Sequence, residues 1–152
     1  MNEFNFLYCQ KIVVFSKDLE SVLLCKRKGE NDYDGVYSFI GGKMEIKDGS
    51  FVNGLEREKN EEVGKNCKIR IYTDFTTNIL FTKKSGDSMV LPHYFAEYID
   101  GEIILNEEYS DYKWVKLEDL KAFEPKIPTI PSMVDKLLEL KKIISVEQSI
   151  IV

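Results

Sequence analysis

Between Gly41 and Gly64 the chain reads GGKMEIKDGSFVNGLEREKNEEVG, and this stretch restricts the possible folds more than any other. Ser50 to Val63 has helical periodicity, with Ser50 placed as the N-cap and Gly64 as the stop signal. Glu56, Glu58, Glu61 and Glu62 fall within seven residues at its tail, with Arg57 and Lys59 as the cations among them. Wound at about 100° per residue, Val52, Leu55 and Val63 form a stripe for the core. Glu58, Glu61 and Glu62 become surface neighbours on an adjacent side, because offsets of three and four share a face. Gly54 stands on that acidic side one turn earlier, where its missing side chain lets another backbone come close.

Such a cluster is unfavourable on its own. Like charges at this spacing repel by a few tenths of a kcal/mol per pair, and carboxylates in a last turn oppose the helix dipole. A bound divalent cation reverses both signs, since hard cations choose oxygen ligands. The plainer reading of EREKNEE is a solvated face relieved by Arg57, Lys59 and Lys65, and the run alone leaves both open. Just upstream, FIGGKME ends a strand in two glycines, whose backbone can approach a ligand or metal and offer a free carbonyl.

The rest of the chain reads as alternating strands with few helices. Phe6–Ser16 and Ser21–Lys28 are short β-rich runs around KDLE and predict a hairpin. Val36–Gly42 predicts a short strand. Lys68–Phe81 and Met89–Ile99 predict long strands joined by KKSGD, with Pro92 marking an edge or bulge. EIIL follows the Asp100-Gly101 turn, YKWVKL predicts a further short strand, EDLKAF a helical turn, and Ser132–Ile143 an amphipathic helix. SVEQSIIV fits a peripheral strand or a loose end. The order β-β-β-α-β-β-β-α predicts an α+β architecture, a mixed β-sheet flanked by helices as an α/β/α sandwich, in one domain over residues 1–152.

A formal net charge of -5 gives no general attraction to duplex nucleic acid or anionic membrane, so a polyphosphate partner would need metal ions for neutralisation. Cys9, Cys25 and Cys67 are odd in number and lie in apolar runs without zinc spacing, which predicts buried thiols in a reducing compartment. MNEFNFLYCQKIVVF carries Glu3 and Lys11, lacks a basic leader and reads as a strand. No run approaches a membrane span, and a cytoplasmic location is expected.

Together these residues resemble the Nudix hydrolase signature: Gly, five residues, Glu, seven residues, Arg-Glu, an apolar residue, any residue, Glu-Glu, any residue, Gly. Gly42 matches its opening, and Arg57-Glu58, Glu61-Glu62 and Gly64 match its closing half. VLLCKRK, YSFIGGKME and YKWVKLEDL also look like the MutT-like family, so the resemblance runs from about Phe6 to Ile143. Two departures stand out. The interval from Gly42 to Arg57 is one residue too long, which puts Asp48 or Gly49 in the slot of the intermediate glutamate. Lys59 takes a place where an apolar residue is expected; its stem is expected to lie on apolar surface with the amine in water.

The resemblance implies Mg²⁺- or Mn²⁺-dependent hydrolysis of a nucleoside diphosphate linked to another group, by water attack on the diphosphate. It implies Glu58 and Glu62 as direct metal ligands with the Gly42 carbonyl, Glu61 as a further ligand or the base, and Arg57 as the orienting cation. Glu45 either lines the site or serves the surface. Arg27 and Lys43 either hold a phosphate or stand as exposed cations. Glu107 and Glu108 precede YKWV, where the family places a variable extra carboxylate. Phe75, Phe81 and Tyr94 offer stacking surfaces or core packing, while His93 and Trp114 read as structural.

TNILFTK, from Thr77 to Lys83, carries neither the proline nor the tyrosine that resembles the ADP-ribose and dinucleoside polyphosphate groups. The small single-domain form favours nucleoside triphosphates or small nucleotide derivatives as partners. A homodimer is compatible with the sequence without being visible in it. Two rival readings use the same fold: a nucleotide-metabolite sensor that does not cleave, which would have lost these glutamates, and a prenyl-diphosphate isomerase, which would need a catalytic cysteine where Cys25 and Cys67 sit in apolar strands.

Overall fold

The computed structural model describes residues 3–152. Its strands are β1 (Leu7–Phe15), β2 (Ser21–Arg27), β3 (Tyr37–Ser38), β4 (Ile40–Lys43), β5 (Lys68–Tyr72), β6 (Thr77–Thr82), β7 (Ser88–Asp100), β8 (Tyr109–Lys116) and β9 (Ser149–Ile151). The helices are α1 (Phe51–Val63) and α2 (Ile130–Lys141). The strands form a mixed sheet in which β1 and β7 run parallel and the other pairs antiparallel.

Alternation along β1 sorts the core into two layers. Ile12 and Val14 cluster with Leu55 and Val63 of α1, whereas Val13 and Phe15 cluster with Met133, Val134 and Leu137 of α2. The sheet therefore has a helix on each face, as the expected sandwich requires. Among the described residues no helix is long and apolar enough to cross a membrane. Cys9, Cys25 and Cys67 are free and buried.

The sheet forks at β1, and the fork positions the site. Phe15 pairs with Val22 of β2, but Cys9 to Ile12 pair with Lys43 to Ile40 of β4. The expected hairpin is thus present only at its closed end. The single strand expected over Val36–Gly42 is split as well: Tyr37 and Ser38 stay with β2, and after Phe39 the chain crosses to β1.

Other expectations shift. Pro92 lies in the middle of β7, between β1 and β6, rather than at an edge. Its missing donor is accommodated where the β1–β7 register omits Cys9 and Gln10. In the segment EIIL, Ile103 and Leu105 join the α1 layer, and the Ile104 N–H caps the Val63 carbonyl at the end of α1. The helical turn expected over EDLKAF is a 3-10 turn at Leu117–Asp119, which begins one residue before it. The last helix starts earlier than Ser132, with Pro131 in its first turn, where a missing N–H costs nothing. The tail settles as β9 on β5, with Val152 and Ile69 exchanging backbone hydrogen bonds.

Candidate active site

Ser50 caps α1 by accepting from the Asn53 N–H at 3.1 Å, and the Gly64 N–H closes on Asn60. Leu55 and Val63 are buried on the core stripe, while Val52 is only half-buried. Lys59 overturns its expectation. It is fully buried, and its ammonium donates to the Gly64 and Cys67 carbonyls at 3.3 and 2.8 Å. The carbonyls at the helix end attract a cation more than the distant solvent does, although burial pulls its pKa down. This buried charge partly offsets the dipole penalty on the glutamates.

The acidic face meets β4 at the fork. Glu62 is 2% exposed; one carboxylate oxygen accepts from the Gly41 N–H at 2.6 Å, the other from the Tyr109 hydroxyl at 3.2 Å. It therefore ties β4 to β8 across the split. Glu58 lies against Gly42 so closely that a Cβ there would come within 2.5 Å of both carboxylate oxygens. Burial pushes the pKa of Glu58 up, and that of Glu62 well up. Glu61 is exposed at the rim.

Arg57 organises this wall. Its Nε and Nη2 grip Asp48 at 2.7 and 3.0 Å, and its Nη1 donates to Glu58 at 2.9 Å and Glu61 at 3.2 Å. Nη2 also donates to the Lys43 carbonyl at 3.0 Å, and Glu45 stands 3.6 Å from Nη1. Asp48 is buried at the end of a 3-10 turn (Ile46–Asp48), and the guanidinium holds its pKa down at about 2. The extra residue before the helix is absorbed in this turn. Asp48, not Gly49, faces the arginine.

Gly42, Arg57, Glu58, Glu61, Glu62 and Tyr109 line a cavity of about 670 Å³ together with Lys11, Arg27, Lys43, Glu45 and Glu108. Of the residues the sequence offers for the site, Arg27, Gly42, Lys43, Glu45, Arg57, Glu58, Glu61 and Glu62 border it, whereas Phe75 and Tyr94 do not. Arg27, however, spends its Nε on the Tyr33 carbonyl and its Nη2 on the Asp32 carbonyl, with Glu30 at 3.5 Å. Lys43 and Glu45 line the wall, and Glu45 also pairs with Lys47 at 2.8 Å. Glu108 faces the cavity; Glu107 is not among its lining residues. Tyr94 is buried on the α1 side, His93 is buried with its Nδ1–H donating to Leu91, and Trp114 packs edge-on against Tyr98.

The sequence reading missed Lys11, Tyr33 and Tyr109. Lys11 is a lone cation in an apolar strand, which is the one signal that could have exposed it; Tyr109 carries none beyond following two glutamates.

Among the described residues no three acidic, His or Cys side chains already stand in metal-holding geometry. Arg57 holds Glu58 and Glu61, while Gly41 and Tyr109 hold Glu62. The donor set still fits a hard divalent cation: oxygen-only, three carboxylates on one wall, two of them desolvated beside a side-chain-free backbone.

Known proteins show the same build. Residues 10–137 match the family model for the NUDIX domain. Nucleoside triphosphatase NudI of Escherichia coli O139:H28 (strain E24377A / ETEC) is 30% identical over 115 residues, covering 70% of this chain and 81% of that protein. The MutT protein of Methanosarcina mazei Go1 superposes with a TM-score of 0.74 at 19% identity, over 93% of this chain and 99% of the other. A NUDIX-family hydrolase from Clostridium perfringens gives 0.72 at 20% identity, over 91% and 99%. Structures this distant speak for the fold, whereas the family match and the bacterial relative reach further: this chain belongs to the NUDIX domain family and is a Nudix hydrolase.

Proposed function

We propose that the protein hydrolyses nucleoside triphosphates or related nucleoside diphosphate derivatives with the help of Mg²⁺ or Mn²⁺. The observation that carries this reading is the convergence of Glu58, Glu61 and Glu62 with Gly42 on one wall of a cavity large enough for a nucleotide. The naming of NudI as a nucleoside triphosphatase supports that substrate class. Cys25 and Cys67 do not border the cavity, which disfavours an isomerase built on either thiol.

Glu58, Glu62 and the Gly42 carbonyl would hold the cation, with Glu61 as a further ligand or the base. Held there, a divalent cation would supply charge neutralisation for the diphosphate and would lower the pKa of the attacking water. Water's oxygen would form the new bond to phosphorus, the P–O bridge would break with its electron pair on the leaving phosphate, and the water's proton would pass to a carboxylate of this wall, Glu61 where it serves as the base rather than as a ligand. Arg57 keeps Glu61 and Glu58 on the site side of α1 and is itself fixed by Asp48. Lys11 and Lys43 supply positive charge for the phosphates along the same wall.

Phosphate and pyrophosphate release should be measured over a nucleotide panel with Mg²⁺, and again with EDTA. Turnover that EDTA abolishes, and that Glu58→Gln and Glu61→Gln each lower by about 10³-fold or more, is the expected result. Wild-type-like rates in both variants would overturn the assignment.

A further inference from the structure

The cavity has a second, aromatic end, and the strand register fixes where it lies. Phe81 on β6 pairs with Met89 of β7, β7 runs beside β1, and β1 pairs on its other side with β4. The order β6, β7, β1, β4 puts Phe81 three strand spacings, roughly 14 Å, across the sheet from the β4 glycines that face the carboxylates, and the register (Phe81 level with Leu7, Gly42 with Gln10) offsets it further along the strands. A nucleotide whose phosphates lie at those glycines would carry its base toward this end.

A strap of chain completes it. After β2, residues 28–35 reach across the cavity, and the Asp32 carboxylate accepts from the Lys84 N–H at 3.1 Å in the turn between β6 and β7. Tyr33 projects from the strap with its ring centroid 5.8 Å from that of Phe81, the planes tilted by 40°. Both rings line the cavity, and Tyr33 is still 41% exposed. Tyr33 adopts a left-handed backbone (φ 54), a conformation unfavourable for an aromatic residue. Arg27 grips the carbonyls of Asp32 and Tyr33 and so holds it there. A large, exposed, braced ring beside a second ring is a stacking surface that any base can use.

We propose that Tyr33 and Phe81 form the platform on which the substrate's nucleobase stacks, and that Arg27 is a positioning residue for this platform. The inference rests on the nucleotide-hydrolase reading and adds to it the location and manner of base recognition. Stacking far from the reacting phosphorus acts equally in ground and transition states, so its loss appears in KM rather than kcat.

The test uses the full chain and the nucleoside triphosphate that wild type turns over best. Tyr33→Ala should raise KM about tenfold or more with kcat within about threefold, and Tyr33→Phe should restore KM. Arg27→Gln should raise KM in the same sense, and Arg27→Gln with Tyr33→Ala should be no worse than Tyr33→Ala alone, because the two act as one unit. A double variant with fully multiplied effects would show Arg27 binding substrate directly and overturn its positioning role. Unchanged KM in folded Tyr33→Ala and Phe81→Ala, with wild type active, overturns the platform and leaves the hydrolase reading standing. If wild type cleaves nothing, that reading fails, and titration with 2-aminopurine riboside triphosphate and Mg²⁺ still decides. Fluorescence quenching by wild type and Tyr33→Phe but not by Tyr33→Ala supports the platform; no quenching, or equal quenching by all three, sinks it.

Discussion

Replacing Gly42 by alanine tests the site with a single methyl group. The added Cβ would lie 2.5 Å from both carboxylate oxygens of Glu58 and 2.6 Å from its Cδ. Comfortable contacts begin near about 3.5 Å, so the carboxylate must retreat by roughly 1 Å. What yields is the flexible end of a side chain, and Gly42 is not among the glycines with positive φ, so the backbone accepts alanine. A displacement of about 1 Å at a reacting group costs on the order of 10²-fold in rate. Gly42→Ala should therefore lose about that factor in kcat/KM while its melting temperature stays within about 4 °C of wild type. Gly41→Ala is the matched contrast. Its Cβ would meet the Gln10 carbonyl oxygen of β1 at 2.1 Å, from a backbone at φ 128, so it should melt far lower. Steady-state kinetics and thermal melts of the three proteins decide the matter. A Gly42→Ala protein with wild-type kcat/KM, or one as unstable as Gly41→Ala, would refute the claim that this glycine exists to seat Glu58.

Three further outcomes are expected. Burial pushes the pKa of His93 down from 6.5 to about 4, so its contribution is fully present above pH 6.5 and is lost as the pH falls to about 4. Urea titrations should show wild type losing about 3 kcal/mol across that window relative to His93→Gln, and parallel curves would dismiss the effect. Lys59→Ala removes a buried stem and two hydrogen bonds to carbonyls, and should destabilise by about 3 kcal/mol in the same assay, whereas an unchanged midpoint would show that the ammonium contributes nothing. Mg²⁺ at about a hundred times its Kd should stabilise wild type by about 2.7 kcal/mol, read as a rise in melting temperature that Glu58→Gln lacks.

What the sequence disclosed was local chemistry. Ser50 and Gly64 bound the helix because capping and a terminating glycine act within one turn. Glu58, Glu61 and Glu62 share a face through helical geometry alone. Features set by partners distant in the chain stayed hidden. Lys59 gave no sign of burial because the Cys67 carbonyl that receives it belongs to the following strand's approach. EIIL has strand composition, yet its backbone caps α1 instead of joining the sheet. Arg27 reads equally as a phosphate ligand or an exposed cation, and only the folded strap shows its donors on main-chain carbonyls. The substrate's base is in the same position: Tyr33 and Phe81 are separated by a long stretch of chain and meet only when the strap closes on β6.

The turn from Ile46 to Asp48 has a wider implication for how such chains vary. Ile46 points wholly into solvent, and Gly49 has open space around it, so this bend works as slack in the cord between the paired glycines and the acidic helix. Length there is free to drift provided some acid still reaches the guanidinium. Pattern matching that insists on a fixed count would pass over proteins whose machinery is whole, and an engineer wishing to graft a peptide beside this centre has here a natural place to splice.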